Sequence, residues 1–118
     1  MDKHHFATIK PAKRHSIARL ERATIASSQA ALELTEQFET KLFDPVVYFP
    51  LADCETRYFS DSSTHTFCRI KGQASYYHIT LDGKEYKDAA WYYPEPLAQV
   101  EQIRAYVAFS PKLLSVSS

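Results

Sequence analysis

Apolar positions recur at a spacing of two along most of this chain, in short runs broken by Pro, Gly or clustered polar residues. That period lines one face of an extended strand. The clearest case is residues 66–96, TFCRIKGQASYYHITLDGKEYKDAAWYYPEP, with the only Trp, five of the eight Tyr and both Gly. Asp82-Gly83 sits between two aromatic-rich runs and predicts a two-residue type I′ turn, since both positions need positive φ. The pattern therefore predicts one long hairpin over about residues 72–93.

The turn fixes an expected register. Leu81 faces Lys84, Thr80 faces Glu85, and Ile79 faces Tyr86. Continued without a break, Tyr77 meets Asp88, Tyr76 meets Ala89 and Ala74 meets Trp91. One face then holds Ser75, Tyr77, Ile79, Leu81, Tyr86, Asp88, Ala90 and Tyr92. The other holds Ala74, Tyr76, His78, Thr80, Glu85, Lys87, Ala89, Trp91 and Tyr93. Near the turn the first face is apolar and the second charged. Toward the base the second face becomes aromatic, with a small residue opposite each large ring. Two readings follow: a core that wraps both faces at the hairpin base, or an aromatic-walled pocket with a few polar groups.

The rest of the chain reads as further short strands. Residues 1–14 are polar and basic and read as a tail or a weakly docked edge. Residues 15–27 predict two strands joined near Glu21-Arg22. Residues 28–42 are ambiguous: Ala, Leu, Glu and Gln favour a helix, whereas Leu32, Leu34, Glu36 and Phe38 also step by two. Residues 46–49 form a strand bracketed by Pro45 and Pro50. Residues 54–60 read as another strand and residues 61–65 as a polar loop. Leu97, Val100 and Ile103 predict a short helix over about 97–103, after Pro96 at a tolerated first-turn position. Residues 105–109 return as a strand, and 113–118 form a C-terminal tail. Seven or eight strands and one helix make an antiparallel all-β domain over residues 15–112, a sandwich or half-open barrel.

With 118 residues the chain is one domain with one core. Lys plus Arg equal Asp plus Glu at 14 each, so a nucleic-acid polymer is not the expected partner. No run approaches the ~20 apolar residues of a membrane span. Two cysteines, Cys54 and Cys68, without an apolar leader predict reduced thiols and a cytoplasmic location.

Candidate chemistry is sparse. No metal is expected, because zinc sites need close Cys or His pairs and Cys54 and Cys68 stand apart. His65/Cys68 is a weak pair, and His4-His5 reads as solvated. Cys68 near Arg69 and Lys71 is a conceivable thiolate, though a small strand-end residue is the plainer reading. With two Gly, no phosphate-cradling loop exists and no cofactor is expected. Asp88 falls on the core face beside Tyr77, where a carboxylate needs hydrogen-bond partners; Tyr hydroxyls or backbone amides are the expected ones. Gly72 marks either a bulge or a close approach by a ligand or another backbone.

Several uncommon words occur in order: Val47-Tyr48-Phe49-Pro50, Asp53, Thr66-x-Cys68-x-x-Lys71-Gly72-x-Ala74-Ser75-Tyr76, Asp88-Ala89-Ala90-Trp91-x-Tyr93-Pro94-Glu95-Pro96 and Val107-Ala108-Phe109. Over residues 10–112 they resemble the bacterial "domain of unknown function 427" family, some classifications of which carry a nucleotidyltransferase-like label. The resemblance implies an all-β fold of two antiparallel sheets meeting like a tent, akin to Mss4-like domains, and a strand over the first half of 28–42. Many relatives of that wider fold hold zinc on paired Cys, which this chain lacks. The family usually has Pro after the Cys, where Arg69 stands, and a Gly turn where Glu21-Arg22 stands.

The family words fall on the hairpin base. Tyr48, Lys71, Tyr76, Trp91 and Tyr93 are the expected ligand-binding residues, with Asp53 and Glu95 as polar rim. The rings would stack a flat or apolar ligand, and Lys71 would hold an anionic or carbonyl group. Three functions stay open: binding of a small molecule without chemistry, an enzyme acting on a nucleotide or phosphate compound, and an interaction module forming a homodimer or partner interface.

Overall fold

The computed structural model describes residues 4–118. Residues 1–3 of the expected N-terminal tail lie outside the described part. The strands are β1 (His5–Pro11), β2 (Ser16–Leu20), β3 (Ala23–Ser28), β4 (Leu32–Phe38), β5 (Lys41–Leu42), β6 (Val46–Pro50), β7 (Phe59–Cys68), β8 (Gly72–Leu81), β9 (Lys84–Tyr92), β10 (Tyr106–Phe109) and β11 (Ser115–Ser117). A large antiparallel sheet runs β1-β4-β6-β10-β9-β8-β7, with β5 paired to β4. A three-stranded sheet, β11-β2-β3, packs against one side of it. The fold is all-β, as the alternation predicts, and no closed barrel forms.

Several local expectations change. The N-terminal segment is the edge strand β1, paired along its whole length to β4. Residues 115–117 are ordered on β2. The ambiguous segment is a strand over Leu32–Phe38, because β1 and β6 flank it on both sides. Tertiary pairing overrides its helical composition. Within residues 54–60, Cys54 makes an isolated bridge to Ala26, Thr56–Tyr58 is a 3-10 turn, and only Phe59 and Ser60 are strand, the start of β7. The polar stretch 61–65 lies inside β7, at an irregularity in its ladder with β8. The segment after Pro96 is a kinked 3-10 helix, Ala98–Ile103, whose Val100 and Ile103 are buried.

The hairpin turn is as predicted: Asp82 and Gly83 have φ of 51° and 78°, and Leu81 faces Lys84. Past Ile79↔Tyr86 the register breaks, and the next pairs are Tyr77↔Ala90, Tyr76↔Trp91 and Ser75↔Tyr92. His78 alone spans the same step as Lys87, Asp88 and Ala89, with Asp88 in a left-handed conformation at φ 50°. The expected pairs Tyr76–Ala89 and Ala74–Trp91 are therefore not formed. The slip is two residues, an even number. A slip of one flips every side chain to the other face, whereas a slip of two keeps Tyr76, Trp91 and Tyr93 together. Ala89, inside the bulge, turns instead into the core under the small sheet.

Glu21 has φ 54° in the two-residue turn between β2 and β3. A non-Gly residue there costs about 1–2 kcal/mol, offset by the burial of Ala18, Leu20 and Ile25 on either side.

The large sheet is covered on both faces. On one, Phe49, Ile79, Ala90, Val107 and Phe109 meet Ala18, Leu20, Ile25 and Ala26 of the small sheet. On the other, Leu34, Tyr48, Ala74, Tyr93 and Ala108 meet Val100 and Ile103 of the 3-10 segment. This second cluster forms because the sheet curls. β4 and β8 are four inter-strand steps apart, about 19 Å if the sheet were flat, yet Glu36 of β4 touches Lys71, just before β8, at 2.8 Å.

Candidate functional site

Alternation places Leu34 and Glu36 of β4, Tyr48 of β6, Ala108 of β10, Trp91 of β9 and Ala74 and Tyr76 of β8 on the inner side of this curl. Five of the sequence-predicted residues, Tyr48, Lys71, Tyr76, Trp91 and Tyr93, belong to this side. Tyr48 and Tyr93 are buried, with 1% and 6% of their surface exposed, so they form its floor. Trp91 and Tyr76 are half-buried. The Trp91 Nε1–H donates to the Tyr48 hydroxyl at 3.3 Å. Tyr76 and Thr66 hydroxyls are bonded at 2.9 Å.

Two predicted residues lie elsewhere. Asp53 is exposed at the end of the 3-10 turn Leu51–Asp53, where it accepts from Ser28 Oγ at 2.6 Å. Ser28 Oγ in turn accepts from the Ala30 N–H at 2.9 Å, so Asp53 fastens the end of β3. Glu95 is also exposed. Its contribution is its backbone: the Glu95 carbonyl lies 3.2 Å from where a Cβ on Gly72 would sit. Leu97 N–H donates to Lys71 O at 3.0 Å. Gly72, at φ 107°, is the close-approach glycine of the two sequence readings, and what approaches is this chain's own backbone.

Lys71 is not a free cation. Its Nζ is 2.8 Å from Glu36 Oε1, with the two side chains 12% and 20% exposed. The other carboxylate oxygen is 2.7 Å from His5 Nε2. Lys71 Nζ also lies 6.0 Å from the Tyr93 ring centre, at the limit of a cation–π contact. Burial disfavours the Glu36 charge, but the His5 and Lys71 hydrogen bonds together outweigh it and hold the carboxyl below its usual value. Burial likewise disfavours the Lys71 charge, and an ionised Tyr48, present only at alkaline pH, together with Glu36 outweighs it. Burial, partly offset by Lys71, raises the Tyr48 pKa, so the phenol is neutral at pH 7 and Glu36 is the counter-charge of Lys71. Burial raises Tyr93 as well.

Sequence reasoning missed His5 and Glu36. The signal was present: Glu36 interrupts the apolar stripe Leu34–Phe38 at a spacing of two, and His5 heads the stripe His5, Ala7, Ile9. His5, read as solvated, is 8% exposed and stacks edge-on to Phe38.

The bulge gathers another polar set. Asp88 accepts from Ser62 Oγ at 2.5 Å and Thr64 Oγ1 at 2.8 Å, and its N–H donates to His78 Nδ1 at 3.0 Å. Hydrogen bonds from Ser62 and then Thr64 hold its carboxyl below the usual range, against a small burial effect. The expected partners were Tyr hydroxyls or backbone amides; β7 supplies side-chain hydroxyls instead. Ser, His and Asp meet here in an order unlike a nucleophilic triad, because Ser62 donates to the carboxylate, while His78 Nδ1 accepts from the Asp88 backbone N–H and lies 3.6 Å from the same carboxylate. The set fixes the bulge.

His65, the conceivable partner of Cys68 at a metal, has its Nδ1 3.2 Å from Ser75 Oγ. Both cysteines are free, and burial pushes the Cys54 thiol up to about 12, with Asp53 and Glu55 adding to the shift.

The ladder between β6 and β10 stops at Phe49↔Val107. Beyond it the strands diverge, opening a cleft of about 600 Å³ lined by Trp91, Val46, Val47, Phe109, Leu114 and Val116, with Glu33 at its edge. Lys71, Tyr76 and Tyr93 do not line it. Of the seven residues expected at a pocket, this cleft takes in Trp91 alone, and the Tyr48–Lys71–Glu36–His5 set does not line it. No described helix is long and apolar enough to cross a membrane. Among families, the one described as "Domain of unknown function (DUF427)" matches residues 8–117. No curated protein gives a significant match.

Proposed function

The chain belongs to the domain of unknown function 427 (DUF427) family, and from that footing we propose that it binds a small molecule in the cleft walled by Trp91. One observation carries the reading. The cleft, at about 600 Å³, falls within the size range of ligand pockets and has mostly apolar walls with a few polar groups. Trp91 lines it, and the Trp91 N–H is bonded to the Tyr48 hydroxyl, which restrains the ring. Glu33 and the Ser115 and Ser118 hydroxyl groups are the polar points at which a ligand would be oriented. The tent-like label fits this account, since the cleft lies where the strands of the large sheet part. In this reading Lys71 acts at one remove, by stabilising the Tyr48 end of the Trp91 hydrogen bond.

A thermal-shift screen of small aromatic and aliphatic compounds tests it. Compounds that raise the melting temperature should lose that effect in Trp91→Ala. Unchanged shifts in the variant would rule out the cleft. A second reading, an association surface, rests on Phe67 and Leu42, which are 74% and 65% exposed. It requires a homodimer by sedimentation that Phe67→Ser dissociates.

A further inference from the structure

A second concavity is built of different side chains. Tyr77, Tyr92, Tyr93 and Tyr106, with Leu51 and Arg104, line a pocket of about 320 Å³. Four phenol rings around a space of ligand size are unusual in so short a chain, and their arrangement is fixed. Tyr77 and Tyr92 stack with ring centres 4.5 Å apart and planes 16° apart. Phe59 stacks on Tyr77 at 5.0 Å, so the three rings form one column that includes Tyr92. Burial, with Tyr92 adding to it, pushes the Tyr77 phenol up to about 12, so its hydroxyl remains a donor at neutral pH.

Arg104 is the one charged group in the lining. It follows the 3-10 segment and precedes Ala105, whose φ of 64° reverses the chain and sets Arg104 and Tyr106 beside each other at the pocket. The Ala105 carbonyl is fixed by the Leu51 N–H at 2.9 Å. The guanidinium is held in plane by Glu101, through Nε at 2.7 Å and Nη2 at 3.0 Å, and by the Pro94 carbonyl at 3.2 Å from Nη1. Those contacts use three of its five N–H donors.

We propose that this pocket binds a planar aromatic anion, its ring added to the Phe59–Tyr77–Tyr92 column against Tyr92 and its charge on the remaining Arg104 donors. Aromatic faces supply the stacking surface, and the guanidinium fork matches the oxygens of a carboxylate or phosphate. Glu101 competes for the same guanidinium, so the native affinity is held down and removal of that carboxylate raises it. This site is independent of the cleft: Tyr92 and Arg104 do not line the one, and Trp91 does not line the other.

The test is a calorimetric titration of the whole chain with naphthalene-2-carboxylate, its neutral carboxamide, 2-naphthylmethylammonium and adenosine 5′-monophosphate. The carboxylate or the nucleotide should bind saturably, and which one does identifies an aryl carboxylate or a nucleotide as the natural class. The carboxylate should bind about five-fold or more tightly than the amide, roughly 1 kcal/mol. Arg104→Met should erase that preference, and Glu101→Gln should tighten anion binding about three-fold or more, a modest release of one exposed ion pair. Both side chains are half exposed, so these variants keep the fold. Absence of binding by both anions, equal affinity for acid and amide, preference for the ammonium, or indifference to Glu101→Gln would each overturn the proposal.

Discussion

The two sides of the large sheet are made of different chemistry. The side under the small sheet is dry at its centre: Phe49, Ile79, Ala90, Val107 and Phe109 meet Ala18, Leu20 and Ile25, and Cys54, Tyr77 and Tyr92 pack only at the margin. The curled side carries Tyr48 and Tyr93 and, at one end, Lys71, Glu36 and His5. A fold needs only the first kind. Buried ion pairs are often no more stabilising than apolar residues of equal volume, so stability alone does not account for a lysine inside the curl. The dry centre holds the domain together, and the cavities open at the margins where the two clusters meet: Phe109, Leu114 and Val116 against Trp91 and Val46 in one, Tyr77 and Tyr92 against Tyr93 and Tyr106 in the other.

The sharpest break in that comparison comes from Phe49→Ala. Phe49 is fully buried, packs edge-on to Phe109 at 5.5 Å, and should cost about 3–5 kcal/mol in urea unfolding. Glu36→Gln, on the curled side, should cost less, about 2 kcal/mol, because the pair is partly exposed. Adding Lys71→Met to that variant should recover much of the loss, whereas no second substitution of that kind rescues Phe49→Ala. A cost for Glu36→Gln as large as for Phe49→Ala would erase the distinction.

Acid sharpens the same point. The folded Glu36 pKa lies below its ordinary value of 4.5, because the His5 and Lys71 bonds outweigh burial. The sign follows: its stabilisation is complete above about 4.5 and is lost as pH falls through the lower folded value. The wild-type stability curve should therefore decline below pH 4.5 more steeply than that of Glu36→Gln. Smallest of all, Lys10→Ala should change stability by no more than about 0.5 kcal/mol, since Lys10 is 54% exposed and 3.8 Å from Glu33.

Much of this architecture is legible in the residues. Asp82-Gly83 fixes the turn, and alternation sorts Tyr76, Trp91 and Tyr93 from Tyr77, Ala90 and Tyr92. The two-residue bulge at Asp88 is not legible, because it depends on Ser62 and Thr64 from a strand that reads as a loop. Its even length is what preserves the sorting. The helical composition of residues 28–42 yields to pairing on both edges, which no local window contains. His5 and Glu36 escape notice because a sheet that rolls its ends together creates contacts between strands far apart in the ladder. Asp53 and Glu95 were placed by proximity in sequence to aromatic words, and the 3-10 turn and the chain crossing over Gly72 carry them out of the cluster.

A crystallographic fragment soak decides whether the Trp91 cleft takes a ligand. Fragments should lie against Trp91 between Val46 and Leu114. Fragments that collect elsewhere while this cleft stays empty would contradict a binding site there.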